Sequence, residues 1–292
     1  MSKKILLTGA LGQLGIAIRK EYGDAAEFIL TDVAEAEGVT TLDITDLDAV
    51  CQMVSKNKPD LIINCAAFTN VDGCETQEEL AFKINAIGPE NLAKAASQNN
   101  CRFVHISTDY VFSGDGTRPY IESDTPAPVS AYGRTKLAAE QKVVAACPNA
   151  LIFRTAWLYG EGKNFVRTML RLSTVKDEIS VVCDQLGTPT SAKELARMIH
   201  FVEDKGAVGV FHATCEGDTN WADFTDYIFE VKGISCKVNH ITSEEYAAMN
   251  PTSANRPKYS ILENARLKSE YPEYDMADWK TALLDYFKDE ND

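Results

Sequence analysis

The chain opens with an apolar, β-prone run at residues 4–8 that passes directly into Gly9-Ala-Leu-Gly12-Gln-Leu-Gly15, and a helical pattern covers residues 12–22. Strand, glycine-rich turn and helix in that order leave little freedom in the fold. Glycines at this spacing let the backbone turn tightly and pass close to another group. The helix that follows begins with unpaired N–H groups and the positive end of its dipole, which suits a pyrophosphate. Glycines mark many ordinary turns, so the flanking strand and helix give the motif its weight. A parallel sheet with a dinucleotide at its edge is expected, the cofactor held by Gly9, Gly12, Gln13, Leu14 and Gly15.

The rest of the first half keeps the alternation. Residues 27–31, 60–64, 101–107 and 151–154 read as strands, and residues 46–56, 76–98, 130–146 and 164–173 as helices. Continuously apolar strands are the pattern of a sheet covered on both faces. Together these predict an α/β fold, a Rossmann-type doubly wound parallel sheet with a smaller C-terminal substrate-binding lobe. Beyond residue 155 the rhythm loosens. Residues 179–183 and 208–213 look like strands, and 193–203, 221–231 and 277–287 like helices, followed by a polar tail. The expected division is a dinucleotide-binding domain at 1–155 and a mainly substrate-binding lobe at 156–292, with some of its segments returning to the sheet.

Composition disfavours several partners. The formal net charge of −14 opposes binding to nucleic acid and to anionic membranes. No apolar stretch approaches a membrane span, and the apolar run near the start is too short for a signal peptide. Eight cysteines are scattered without a Cys-x-x-Cys pair or metal-ligand spacing. In apolar surroundings they read as small buried hydrophobes of a reducing compartment. A cytoplasmic protein is expected.

Asp32 follows the second strand, where a carboxylate can accept hydrogen bonds from a ribose diol. That favours NADH, since neither Thr31, Val33 nor Ala34 offers a cation for a 2′-phosphate. Asp43-Ile44 is placed to meet the adenine. Ala66-Ala67-Phe68-Thr69, after the third strand, has small side chains where the chain must pass close to a cofactor.

Two segments carry the chemistry. Ser107-Thr108-Asp109-Tyr110 stands at the carboxyl end of the fourth strand, the edge that faces the ligand crevice in open α/β sheets. Tyr132-Gly-Arg-Thr-Lys136 lies near the start of a helix, so Tyr132 and Lys136 share one face. Hydride delivery to a ketone leaves negative charge on oxygen that must be protonated. A tyrosine, with a pKa of about 10, can donate that proton, and a lysine ammonium stabilises the phenolate left behind. Thr108 can donate a second hydrogen bond to the same oxygen. Tyr-x-x-x-Lys also occurs by chance on many helices; its weight comes from the glycine turn and Thr108 beside it.

These residues resemble the extended short-chain dehydrogenase/reductase family, and within it the dTDP-4-dehydrorhamnose reductase branch. The resemblance spans nearly the whole chain. It includes the glycine turn, Asn64-Cys-Ala-Ala-Phe-Thr69 with Val71-Asp72, Ser107-Thr-Asp-Tyr-Val-Phe112, Tyr132-Gly-x-Thr-Lys136 and Arg154-Thr-Ala-Trp157. Asn164-Phe165, Asp184-Gln-x-Gly-x-Pro-Thr190 and Arg256-Pro257 extend it. It implies that NADPH or NADH reduces the C4 ketone of dTDP-4-dehydro-L-rhamnose, with Tyr132 as proton donor, Lys136 as its partner and both beside the cofactor. It also implies that Thr108, Asp109, Trp157 and Arg256 touch the nucleotide sugar, and that Asp32, Asp43, Ile44, Ala66, Ala67, Phe68 and Thr69 line the cofactor. Arg167, Arg171, Arg256 and Lys258 are candidates for neutralising the substrate diphosphate. On residue type alone, Trp157 reads as core and residues 184–190 as a plain turn. Some family members bind Mg²⁺ between subunits through acids that include one just after the third glycine. Ile16-Ala17 stand there instead, so no metal and a monomer or weak homodimer are expected. Two alternatives stay open: a non-catalytic dinucleotide-binding regulatory subunit, and a nucleotide-sugar epimerase or dehydratase.

Overall fold

The computed structural model describes residues 2–289. The first half contains β1 (Lys3–Thr8), α1 (Gln13–Tyr22), β2 (Ala26–Asp32), β3 (Thr40–Thr41), α2 (Leu47–Asn57), β4 (Leu61–Asn64), α3 (Val71–Thr76), α4 (Glu78–Phe82), α5 (Gly88–Gln98), β5 (Arg102–Thr108), α6 (Ala131–Ala146) and β6 (Leu151–Thr155). Then come β7 (Leu158–Tyr159), α7 (Phe165–Ser173), β8 (Glu178–Val182), β9 (Leu186–Gly187), β10 (Thr190–Ser191), α8 (Ala192–Asp204), β11 (Gly209–His212) and β12 (Thr219–Asn220). The chain continues through α9 (Trp221–Lys232), β13 (Lys237–Ile241), α10 (Ser243–Met249), α11 (Ala265–Glu270) and α12 (Trp279–Asp289).

The main sheet has seven strands in the order β11-β6-β5-β4-β1-β2-β3, and every neighbouring pair is parallel. It is the expected doubly wound arrangement. Strand order reverses between β1 and β4, so their carboxyl ends open a crevice. Successive side chains of each strand enter opposite layers. Ile5 and Leu7 of β1 join Leu14 and Ile18 of α1 and Leu195 and Ile199 of α8 on one face. Leu6, Ile62 and Phe103 join Val50, Val54, Leu92 and Val143 on the other. The chain's second half thus supplies both a sheet strand, β11, and a covering helix, α8. A separate apolar cluster joins α7, α9 and α12 through Val166, Phe224, Ile228, Leu283 and Phe287.

The single long helix expected over 76–98 is not what forms. α3 stands apart, ended at Gln77, whose φ of −133° and ψ of 44° are not helical. From Glu78 the helix is continuous but widens into a π turn at Lys83–Ile87 before Gly88-Pro89. Proline lacks the N–H that an α turn would use, and its ring crowds the carbonyl one turn back. The wider turn directs Asn85 to the segment after β4: its Oδ1 accepts from Phe68 N at 2.7 Å, and its Nδ2 donates to Phe68 O at 3.1 Å and Thr135 Oγ1 at 3.2 Å.

Two segments of the second half differ from a plain reading. Residues 184–190 are not a simple turn: β9 pairs with β12 and β10 with β7. β13, which has no clear alternation, pairs with β8 in parallel. The terminal helix lies two residues later than expected, at Trp279–Asp289, and the end of the polar tail lies outside the described residues. All eight cysteines are free, and among the described residues no helix is long and apolar enough to cross a membrane.

Candidate active site

A cleft of about 960 Å³ lies along the carboxyl ends of β1, β2, β4, β5 and β6. Its cofactor side is built by the glycine turn. Gly9 has φ +65°, and a Cβ there would sit 2.7 Å from Ala66 N in the segment leaving β4. A Cβ on Gly15 would lie 2.4 Å from Gly9 O and 2.8 Å from Ala10 Cα. Both glycines are therefore required by backbone packing. Gly12 is the extended N-cap of α1 and leaves that end without a side-chain cap, so the N–H groups that an anion would use stay available.

Neighbouring strands hold the rest of this side. Asn64 Oδ1 accepts from Thr8 Oγ1 at 2.6 Å and from Ala66 N at 3.1 Å, fixing the exit from β4. Its amide also meets His105 Nδ1 at 3.1 Å. Burial holds the His105 imidazole well below its usual pKa, so it stays neutral. Asp32 accepts from Leu11 N at 3.1 Å and Ala34 N at 3.2 Å. Asp43, Ile44, Ala66, Ala67, Phe68 and Thr69 line the same wall.

The chemical side is formed by β5 and α6. Ser130 caps α6 by accepting from Gly133 N at 3.1 Å, and this sets the first turn that carries Tyr132. Gly133 is needed here because a Cβ would lie 2.2 Å from Tyr110 O. Tyr132 packs edge-on against Tyr110 at 5.5 Å. Burial, aided by the nearby Asp109, pushes its phenol above the usual pKa while Thr108 pulls the other way. The phenol is therefore protonated at neutral pH and available as a donor. Lys136 is buried and donates to Ile106 O at 2.5 Å. Burial pushes its pKa down to about 8, against the pull of Glu140. No hydrogen bond joins Lys136 to Tyr132 among the described residues; the two side chains share the cleft.

Thr108 donates to Asp109 Oδ1 at 2.9 Å and accepts from Tyr110 N at 3.2 Å. Asp109 is buried, and its Oδ2 has no hydrogen-bond partner among the described residues. Burial pushes its pKa up to about 6. The folded state thus binds a proton more readily than the unfolded chain between the ordinary carboxylate range and about pH 6. This contribution to stability is full at lower pH and is lost as pH rises through about 6. If the ionised carboxylate is what accepts a substrate hydroxyl, kcat/KM falls about tenfold per unit below pH 6. A pH profile of Asp109→Asn without that acidic limb is the expected check; an unchanged limb would assign it elsewhere.

Trp157 lines the cleft instead of filling the core. It has φ +48°, a conformation a non-glycine residue keeps only when its surroundings impose it. Trp221 stacks on it at 3.5 Å, and a Cβ on Gly187 would fall 2.5 Å from its ring. Trp221, Lys83, Ile84 and Lys163 also line the cleft. They escape sequence reasoning because no local motif contains them. Of the expected cations, Arg256 lies outside the lining, held in a two-pronged bond to Asp72 at 2.9 and 3.0 Å. Arg171 and Lys258 are also outside it, and Arg167 faces a second cavity. Among the described residues, Lys83, Lys136 and Lys163 are the cations that do line the cleft. The one grouping of metal-type ligands among the described residues, exposed Asp223, Asp226 and His240, is not part of the cleft lining.

The sequence matches the profile of the RmlD substrate binding domain over residues 3–291. It is 37% identical over 288 residues to dTDP-4-dehydrorhamnose reductase of Escherichia coli (strain K12), covering 96% of this chain and 95% of that protein. The fold superposes on a dTDP-4-dehydrorhamnose reductase structure from Clostridium acetobutylicum with a TM-score of 0.91 at 49% identity, covering 98% of each chain. It also matches a dTDP-4-dehydrorhamnose reductase from Bacillus anthracis solved in complex with NADP, with a TM-score of 0.92 at 36% identity, covering 99% of this chain and 100% of that one.

Proposed function

The chain belongs to the RmlD substrate binding domain family, and from that premise we propose that it reduces the C4 ketone of dTDP-4-dehydro-L-rhamnose to dTDP-L-rhamnose, using NADPH or NADH. It is an NAD(P)H-dependent oxidoreductase. The observation that carries this function is the single cleft in which the glycine turn, Thr108, Tyr132, Lys136 and Trp157 meet.

The nicotinamide cofactor supplies the hydride when bound. Gly9, Gly12, Gln13, Leu14 and Gly15 would hold its pyrophosphate, Asp32, Asp43 and Ile44 would take the adenosine end, and Ala66, Ala67, Phe68 and Thr69 would flank it. The fit is supported by the close backbone approaches at Gly9 and Gly15, which leave no room for side chains. As C4 gains hydride, the carbonyl electron pair moves to O4. Tyr132 gives O4 its proton and becomes a phenolate. The Lys136 ammonium lowers the energy of that phenolate, and Thr108 donates a hydrogen bond to O4 as charge develops. Asp109 and Trp157 orient the sugar, and Lys163, which lines the cleft, takes the diphosphate. Residues 1–155 then serve mainly the cofactor and residues 156–292 mainly the nucleotide sugar, in a cytoplasmic monomer or weak homodimer.

The test is oxidation of NADPH and of NADH, followed by absorbance, on adding dTDP-4-dehydro-L-rhamnose. One cofactor consumed per dTDP-L-rhamnose formed is expected. An epimerase or dehydratase would regenerate its cofactor, and a regulatory subunit would consume none; either result would overturn the assignment.

A further inference from the structure

A buried ion pair lies one turn beyond Lys136, outside the cleft lining. Resting on the reductase function above, we propose that Glu140 and Arg154 are positioning residues for Lys136, an opposed charge pair that sets the field around its ammonium while tying its helix to the strands beneath.

Glu140 follows Lys136 by four residues on α6, so the two side chains share a helix face. Its Oε1 accepts from Arg154 Nε at 2.9 Å and from Ser107 Oγ at 2.5 Å, and its Oε2 accepts from Arg154 Nη2 at 2.7 Å. The Arg154 and Glu140 side chains are only 5% and 6% exposed. One carboxylate therefore joins three elements. α6 carries Tyr132 and Lys136, Ser107 adjoins Thr108 on β5, and Arg154 adjoins Thr155 on β6. Arg154 is itself held over the Phe112 ring at 5.1 Å.

Stability is a poor reason for such a pair. Burying two charges costs about what their attraction returns, and well-packed apolar residues often do as well. A charge pair also acts on a third charge, and Lys136, one turn before Glu140 on the same helix, is a charge that the chemistry uses. Among the described residues, the groups around Lys136 include Tyr132 and Glu140 from its own helix, Cys65 from the segment after β4, and Ile106 O and neutral His105 from β5. Arg154 of β6 stands behind Glu140. Glu140 favours the ammonium, and Arg154, by pairing with that carboxylate, limits its pull, so removing the carboxylate should lower the proton affinity of Lys136 and freeing it from Arg154 should raise it.

The experiment is the pH profile of kcat for Glu140→Gln, Arg154→Met and the double variant, with wild type as reference. Activity needs Lys136 charged, so wild type loses it as pH rises through about 8. Glu140→Gln leaves two buried cations and should move this basic limb down by about one pH unit. Arg154→Met leaves the carboxylate unopposed and should move it up by about one unit. The double variant should return close to wild type. A merely structural role would move both single variants the same way or leave the limb in place, and either result overturns the proposal. If Glu140→Gln does not fold, Arg154→Met decides alone: an upward shift supports the proposal, and no shift or a downward one rejects it. A wild-type protein without turnover would instead reject the reductase function, so the two failures are distinguishable.

Discussion

Tyr132→Phe is expected to lower kcat by about 10²- to 10⁴-fold, or about 3–5 kcal/mol of barrier, with little change in cofactor affinity. The substitution removes one hydroxyl and keeps the ring that packs against Tyr110, so the fold should persist. Tyr132 lines the cleft with Thr108 and Lys136, and its raised pKa keeps it protonated, as the proposed role of proton donor requires. Steady-state kinetics with saturating NADPH, together with a thermal melt, would test this. Near-wild-type turnover in a folded Tyr132→Phe protein would show that the proton comes from elsewhere.

The second large effect is at Gly15. Its added Cβ would meet Gly9 O at 2.4 Å and Ala10 Cα at 2.8 Å. These are backbone atoms, so relief requires moving the turn itself. Gly15→Ala should therefore weaken dinucleotide binding by about 10²-fold, since displacements near 1 Å cost that much at a preorganised site. A loss of about 1–3 kcal/mol of stability should accompany it, as in other overpacked sites. Titration of NADPH fluorescence and a denaturant melt would separate the two. Gly23→Ala is the control: Gly23 has φ +46° but open space around its Cβ position, so it should lose some stability and keep its cofactor affinity.

The glycine-turn side of the cleft was largely legible in the chain because its signals are local. The turn from Gly9 to Gly15 lies within one strand–turn–helix unit, and Gly9 and Gly15 are needed because backbone of the same turn or of the segment leaving the adjacent strand lies against them. The Tyr132–Lys136 pair is legible for the same reason, as one turn of one helix. The rest of the cleft was much less so. Arg256, by residue type a candidate for a phosphate, is paired with Asp72, far off in sequence, at 2.9 Å. Lys163 and Trp221 have no motif to announce them, yet both reach the cleft. The π turn before Pro89 escaped helical periodicity because one extra residue in a turn barely disturbs an apolar pattern.

By itself the sequence determined the alternation of apolar strands and helices, the glycine turn, and the residue types able to move a proton. Each is fixed by backbone geometry or side-chain chemistry within a few neighbours. Only the tertiary structure decided which distant groups share the crevice, which cations are already neutralised, how Trp157 is held against Trp221, and that Glu140 faces Arg154 behind Lys136. Burial and Coulomb interactions depend on distance through space, and the chain's linear order does not contain those distances.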